Sequence, residues 1–592
     1  YGMRVVAASA RQMLISAAAD KWNVPASQLT TENSFVIHKK TGKKLRYGEL
    51  ATSATEYSAS ASPVLKNPDQ YKIVGKPTQR LDIPGKVDGS FQYGMDLELP
   101  DMRYVAMKAS PIHGGKLVSA DTAAALKVSG VEKVIKLKSS VAVVAKSFWQ
   151  AGKGLEAAAP EYAPGKQKVV STSSIAELHK AALNSGKRRT QHEIGDAKTA
   201  IKTGKIFEAE YEAPFLHHAA MEPINVTAQY KNGHLTVWAG SQNPLDAKSR
   251  VAELSGLSID NITFKPMHTG GAFGRRGPRM NIHIYLEPAI QAAKEMSPKP
   301  VKLIWSREED FAQGNFRPRT ETKIKVSLDG NGKPLSWAQV FIDGANVPDV
   351  QILIPYDIPN QLMESVDGQT HVQTGPWRSV NHSQHGFWAE SFIDELAHNQ
   401  KQDPLQYRLD LLKKGSRSYN VLKLAEEKSE WKTPVPAGVG RGVALVESFG
   451  SIVAHVVEVK MDETGREPRI TRVTSVADCG LAVNPESAKQ QIEGGFLMGA
   501  GAALGEEITI EDGKVVQENF PDYELMTLAK TPARMDVHFI NSGAKWGGLG
   551  EPGLPPAAPA VSNAIFLLTG KRMRSMPFSK ALANDKLAEV AN

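Results

Sequence analysis

The patterning of this chain predicts an α+β fold, and three observations predict it. Helical and strand-like periods alternate without a regular strand-helix repeat, hairpin signals recur at three places, and no period of fixed length is visible. The composition is that of a globular body: 592 residues, 41% hydrophobic and 23% charged, neither disordered nor fibrous. At roughly 150 residues per domain the length suggests about four domains or subdomains. No apolar run reaches the roughly 20 residues a membrane-spanning helix needs.

Residues 5–22, rich in Ala with Val6, Met13, Leu14, Ala17 and Ala18 at helical spacing, predict a buried helix. A strand-turn-strand pattern follows at 35–48, then an aperiodic Ser/Ala/Thr stretch at 52–63 that reads as a loop. A new unit starts near Asp82. In it, strand-like runs at 104–108, 131–137 and 141–145 flank an Ala-rich helix at 121–127, capped by Ser119 or Asp121, and the module ends in the Ala/Pro stretch 157–164. Beyond residue 166, hairpin signals stand at Asn232-Gly233, Gly330-Asn331-Gly332 and Asp512-Gly513. Amphipathic helices are expected at 246–254, 385–398 and 404–412, and the Pro/Gly-rich stretch 433–442 reads as a linker.

Charge and cysteine usage narrow the chemistry. The 71 Lys and Arg exceed the 63 Asp and Glu by eight, an excess read as spread along the chain, not gathered in a basic tail; it bears on solubility more than on nucleic-acid binding. The single cysteine, Cys479, cannot form an intramolecular disulfide, a Cys-rich zinc site, an iron–sulfur cluster or a CxxCH haem attachment. The close histidine pairs, His217/His218 and His382/His385, lack zinc-site spacing, and no GxSxG elbow occurs.

Four segments can carry chemistry. In the first, 268–276, Gly270, Gly271 and Gly274 let backbone N–H groups turn toward an anion beside Arg275 and Arg276; a Gly-rich turn with solvated arginines fits the spacing equally well. The second, 546–556, contains a literal GxGxxG at Gly548, Gly550 and Gly553, but prolines follow it and no acid stands about 20 residues on, so the dinucleotide reading is rejected. What remains is Glu551, a carboxylate in a rigid Gly/Pro loop, able to act as a general base or to pair with a lysine. The third segment, 477–505, carries Gly and Ala on a predicted helix that packs closely on a neighbour or a flat ligand. The fourth, 373–381, sets Trp377 and Arg378 in a loop before a helix.

Together these segments resemble the molybdopterin-binding large subunit of the xanthine dehydrogenase/aldehyde oxidase superfamily, nearest the isoquinoline 1-oxidoreductase beta-subunit branch. The resemblance rests on SQNP (241–244), GGAFGRR (270–276), TGPWRSVNHS (374–383), FWAESFIDELAH (387–398), DPLQYRLDLL (403–412), DCGLAVNP (478–485), QIEGG (491–495) and GEPGLPPAAPAVSNAIF (550–566), in the family's order. It implies an a/b hammerhead domain at 77–165 and two elongated molybdenum-cofactor-binding domains at 166–440 and 441–592. Residues 1–76 then belong to the second of these domains, and the chain, beginning at Tyr1, is expected to be one fragment of a split or processed polypeptide.

The resemblance also implies a cofactor: molybdenum held by the dithiolene of a pterin, in its cytosine dinucleotide form, with no protein ligand to the metal and no iron–sulfur cluster or haem in this chain. By the matched motifs Glu551 is the catalytic base, taking a proton from a metal-bound hydroxyl as it attacks carbon, and Gln242 hydrogen-bonds the metal's oxo group. Gly270, Gly271, Ala272, Phe273 and Gly274 form the loop over the metal. Arg275 contacts the pterin or its phosphates, and Arg378, Gln491 and Gly550 are further cofactor contacts. Ala272 stands where the family usually has Gly, adding a methyl near the metal. Arg275-Arg276-Gly277 lacks the substrate-binding Glu of purine oxidisers, and 358–361 lacks their arginine, so an aldehyde or a neutral N-heteroaromatic is expected. Expected partners are a small [2Fe–2S] subunit, a cytochrome c or other acceptor, a chain supplying the missing N-terminal part and a small-molecule substrate, with no nucleic acid. The expected location is the periplasm, with the cytoplasm as alternative. A non-catalytic molybdopterin-binding homologue or scaffold subunit is the rival reading, against which the intact Glu551 and Gln242 stand.

Overall fold

The Ala-rich segment near the start forms the helix Gly2–Trp22. In the computed structural model, which describes residues 2–166, 168–277, 280–344, 354–464 and 467–583, the chain divides into two units, one running to Thr78 and including Ala482–Pro485, the other holding the rest. In the first unit Ala17 and Ala18 of that helix bury against Leu29, Val36 and Leu50, which come from a three-stranded antiparallel sheet, Leu29–Glu32, Phe35–His38 and Lys44–Arg46, and the helix Tyr47–Ala54. That second helix takes the first three residues, 52–54, of the loop expected at 52–63, and 55–63 is irregular as expected. Its start is fixed by a side chain, Glu49 Oε2 accepting the Arg46 N–H at 2.6 Å, and not by an apolar period long enough to read. The charge distribution needs correcting too. Residues 1–78 carry 11 Lys and Arg against 5 Asp and Glu, a net +6 of the chain's +8.

Among the described residues the second unit is built on three large sheets and two two-stranded ones. The largest has seven strands in the order Ile262–Pro266, His234–Ala239, Asn225–Lys231, Val301–Ile304, Arg103–Ala109, Ser140–Ala145 and Val131–Lys136, so strands from both sides of residue 165 share one ladder. The helix His283–Glu295 and Val251 of the helix Pro244–Ser255 close its apolar core. A five-stranded sheet, Lys205–Ala213, Thr320–Leu328, Pro334–Asp343, Asn360–Asp367 and Arg189–Ile194, and a four-stranded one, Gly440–Ser448, Ser451–Met461, Pro468–Asp478 and Arg534–Ile540, share the main core with the helices His382–Asn399, Pro485–Leu504 and Ala557–Thr569.

The three hairpins form where the turn residues stand, and Asp121 is the cap of the short helix Thr122–Leu126, accepting the Ala124 N–H at 2.9 Å. The helix Phe148–Ala158 was not legible because Gly152 and Gly154 lower its propensity; Gly154 is there for packing, since a Cβ would come within 2.7 Å of Val131. Three of the four chemical segments lead into helices: 373–381 into His382–Asn399, 477–505 into Pro485–Leu504, and 546–556 into Ala557–Thr569; Ser241–Asn243, outside the four, leads into Pro244–Ser255.

Candidate functional site

One wall of the site is the glycine loop. Gly271 and Gly274 have φ of +111° and +116°, and Phe273, at +52°, is pushed outward. The loop is anchored by a carboxylate from another segment: Glu222 Oε2 accepts the Gly270 N–H at 2.8 Å and faces Arg276 Nη2 at 3.5 Å, while Oε1 accepts the Met95 N–H at 3.1 Å and the Asn225 amide at 3.0 Å. Gln242 is tied to the end of the same loop, its N–H donating to the Arg276 carbonyl at 3.0 Å and its Oε1 accepting the Arg276 N–H at 3.2 Å. These bonds leave the exposed amide nitrogen of Gln242 as a donor.

The second wall presents Glu551. Its Oε1 accepts the Ser379 N–H at 3.0 Å, and Ser379 Oγ donates to the Glu551 carbonyl at 2.8 Å. Holding that amide in place requires left-handed backbone at two residues that resist it, Ser379 at φ +78° and Val380 at +49°. Arg378 ties the loop down, donating from Nε to the Gly550 carbonyl at 2.7 Å and from Nη2 to the carbonyl and Oε1 of Gln491 at 3.3 and 3.1 Å. Burial holds the Arg378 guanidinium below its usual range, with the Glu551 carboxylate pulling the other way. The loop sits directly on the helix Pro485–Leu504: a Cβ on Gly553 would meet the Ile492 carbonyl at 2.8 Å. Beneath it His455, wholly buried and pushed down to about 4 by burial, stays neutral; its Nε2 donates to the Gly553 carbonyl at 2.8 Å and its Nδ1 accepts from Ser475 at 2.9 Å. Among the described residues no donor is bonded to Glu551 Oε2.

The walls meet at Gly274, where a Cβ would lie 2.1 Å from the Pro376 carbonyl. His218 Nε2 donates to the same carbonyl at 2.9 Å. Next to it, burial pushes His217 down to about 3; its ring stacks on Phe311 at 4.4 Å and its backbone carbonyl accepts from Trp377 Nε1 at 3.2 Å. The Tyr523 hydroxyl accepts the His217 N–H at 3.0 Å and lies 3.0 Å from Glu506 Oε2. Both histidines are therefore neutral groups that build the junction.

The structure brings Gln242, Ala272 and Arg276 together on a cleft of about 230 Å³, and Glu551, Gly550, Arg378 and Gln491 together on the second wall. Arg275 is a correction: expected at the cofactor, it is 2% exposed and turned inward, donating to the Gln313 carbonyl at 3.0 Å with its guanidinium 5.6 Å from the Trp305 ring. Both arginines are buried, Arg275 at 2% and Arg276 at 3% exposed, but only Arg276 lines the cleft, paired with Glu222. Sequence reasoning missed Glu222, His218 and Ser379. Only the adjacent pair His217/His218 was visible, and neither spacing nor period marks a buried carboxylate or a left-handed serine.

The cleft suits a metal that brings its own ligands. Its lining combines amide, hydroxyl and cationic groups with the rings of Phe91, Tyr93 and His268 and the thioether of Met267, and among the described residues no group of three or more His, Cys, Asp or Glu could hold an ion. Comparison with known proteins agrees. Residues 179–411 and 410–532 each match a molybdopterin cofactor-binding domain. The chain is similar to the isoquinoline 1-oxidoreductase subunit beta of Brevundimonas diminuta, 29% identical over 99% of this chain and 82% of that one. It is also similar to the membrane-bound aldehyde dehydrogenase [pyrroloquinoline-quinone] of Gluconacetobacter polyoxogenes, 27% identical over 98% and 81%. In fold it resembles quinoline 2-oxidoreductase from Pseudomonas putida 86, with a TM-score of 0.74 at 16% identity over 86% of this chain and 97% of that one. The chain belongs to the molybdopterin-binding proteins of the xanthine dehydrogenase family. Within that family it is a molybdenum-dependent oxidoreductase.

Proposed function

We propose that this chain is the catalytic subunit of a molybdenum hydroxylase that oxidises an aldehyde or an N-heteroaromatic compound with oxygen taken from water, passing two electrons to a separate iron–sulfur subunit. The observation that carries this is Glu551, one oxygen pinned by a backbone amide and the other left as a base. The substrate classes follow the names of the two similar proteins, an isoquinoline oxidoreductase and an aldehyde dehydrogenase.

The cofactor, when bound, supplies the two-electron acceptor and activates the water. The chain's residues do the rest. Gln242 offers its amide N–H into the cleft beside the Ala272 methyl, which narrows the approach. Glu551 accepts the proton of the attacking oxygen at Oε2, and the Ser379 N–H on Oε1 keeps the carboxylate oriented toward the reaction. Arg378, fixed to Gly550 and Gln491, holds the carboxylate's loop at constant distance from the helix beneath. Cys479 is the only cysteine of this sequence and 1% exposed, too few thiolates to hold a cluster, and we assign the iron–sulfur centre to a separate [2Fe–2S] subunit and the pterin to its cytosine dinucleotide form. Molybdenum analysis and pterin fluorescence on the enzyme purified from its own host test this reading. About one of each per chain is expected; an enzyme that turns over substrate while holding neither overturns it.

A further inference from the structure

The cleft is completed by a segment outside both matched domains. Tyr93 bridges to His268, the Gly94 N–H donates to the His268 carbonyl at 3.1 Å, and the Phe91 and His268 rings stand 4.5 Å apart. Lys86, Phe91 and Tyr93 thereby join Gln242, Ala272 and Arg276 in the lining.

The charges of this lining do not cancel. Arg276 is matched by Glu222. Lys86 Nζ lies 2.6 Å from Asp82 Oδ2, but the same carboxylate also takes Arg80 through Nε at 3.0 Å and Nη2 at 2.6 Å. Two cations share one anion, which leaves one positive charge in excess where Lys86 lines the cleft. The ammonium also stands 4.9 Å from the Phe91 ring centre, a contact that holds its position without using its N–H donors on an acceptor. Arg275, the other candidate for an anion, faces away.

We infer that Lys86 binds a phosphoryl oxygen of the pterin cofactor, with Phe91 and Asp82 holding the ammonium in place. This rests on the function proposed above. A lysine ammonium serves a phosphoryl group as a compact charge with three donors. The chemistry is the same for a terminal phosphate and for the pyrophosphate of a dinucleotide form; acid release of a nucleotide, one per molybdenum or none, tells which is present.

The test compares loaded wild-type enzyme with Lys86→Gln and Lys86→Arg, reading molybdenum and oxidised-pterin fluorescence per folded chain after dialysis at low and high salt. Lys86→Gln is expected to retain about tenfold less of both, the scale of one lost charge-assisted bond, and Lys86→Arg to restore most of it. Wild-type retention is expected to fall as salt rises, and that of Lys86→Gln to change less. A loaded wild type beside an equally loaded Lys86→Gln at both salts overturns the inference alone. A wild type that turns over substrate with neither molybdenum nor pterin overturns the proposed function, and this inference with it.

Discussion

The two walls of the site are organised by opposite charges. On the glycine wall a buried carboxylate, Glu222, gathers N–H groups from Gly270, Met95 and Asn225 together with the Arg276 guanidinium. On the other a guanidinium, Arg378, gathers the carbonyls of Gly550 and Gln491. The difference follows from what each loop leaves unpaired. A turn that aims its amides one way needs an acceptor behind it, and a Gly/Pro loop short of N–H groups needs a donor. One wall is held by a carboxylate behind its turn, and the other fixes a single carboxylate, Glu551.

The comparison breaks most sharply at the base. Glu551→Gln keeps the shape of the second wall but removes the proton acceptor, so kcat is expected to fall by about 10²-fold or more with molybdenum content unchanged; near-normal turnover in a steady-state assay assigns the base elsewhere. Gly274→Ala attacks the seam between the walls, where φ is +116° and the Pro376 carbonyl would lie 2.1 Å from the new methyl. Thermal unfolding is expected to show a loss of about 3 kcal/mol or more, accompanied by cofactor loss.

Glu506, beneath the seam, gives a pH signature. Burial raises its carboxyl to about 8 from the ordinary 4.5, so it keeps its proton in the folded chain and releases it on unfolding. The stability it supports is full below about pH 4.5 and is lost as pH rises through about 8. Urea unfolding at pH 5 and pH 8 is expected to show this fall in the wild type and a flatter dependence in Glu506→Gln. The smallest effect is that of Ser379→Ala, which loses the bond from Oγ to the Glu551 carbonyl but keeps the amide on Oε1. It is expected to cost about 1 kcal/mol in stability and to leave the pH profile of kcat in place.

Much of this is legible in the amino-acid sequence, and unevenly so. Asn232-Gly233 and Asp512-Gly513 mark their hairpins because left-handed turns select those residues, and Trp388 and Phe392 mark their helix by period. Glu551 stood out as a carboxylate in a dense Gly/Pro loop, whereas Gln242 was singled out only through the family resemblance that SQNP carries. Arg275 was misplaced because a motif says which residues are adjacent, not which of two buried arginines lines the cleft. Glu222 and Ser379 were invisible for a related reason: their work depends on segments 48 and 172 positions away, beyond any local pattern. The excess charge of residues 1–78 could have been counted, but its lysines are interspersed with neutral residues and form no long run.

The seven-stranded sheet has a consequence for how the protein is made. Arg103–Ala109 lies between Ser140–Ala145, which follows soon after it, and Val301–Ile304, which pairs with it in parallel about 200 residues later. A ribosome adding roughly 5–20 residues per second needs on the order of 10 to 40 seconds to deliver that second neighbour. During that interval one edge of Arg103–Ala109 is an open strand with buried-type side chains, Val105, Ala106 and Met107, and it invites chaperones or a second nascent chain to pair with it.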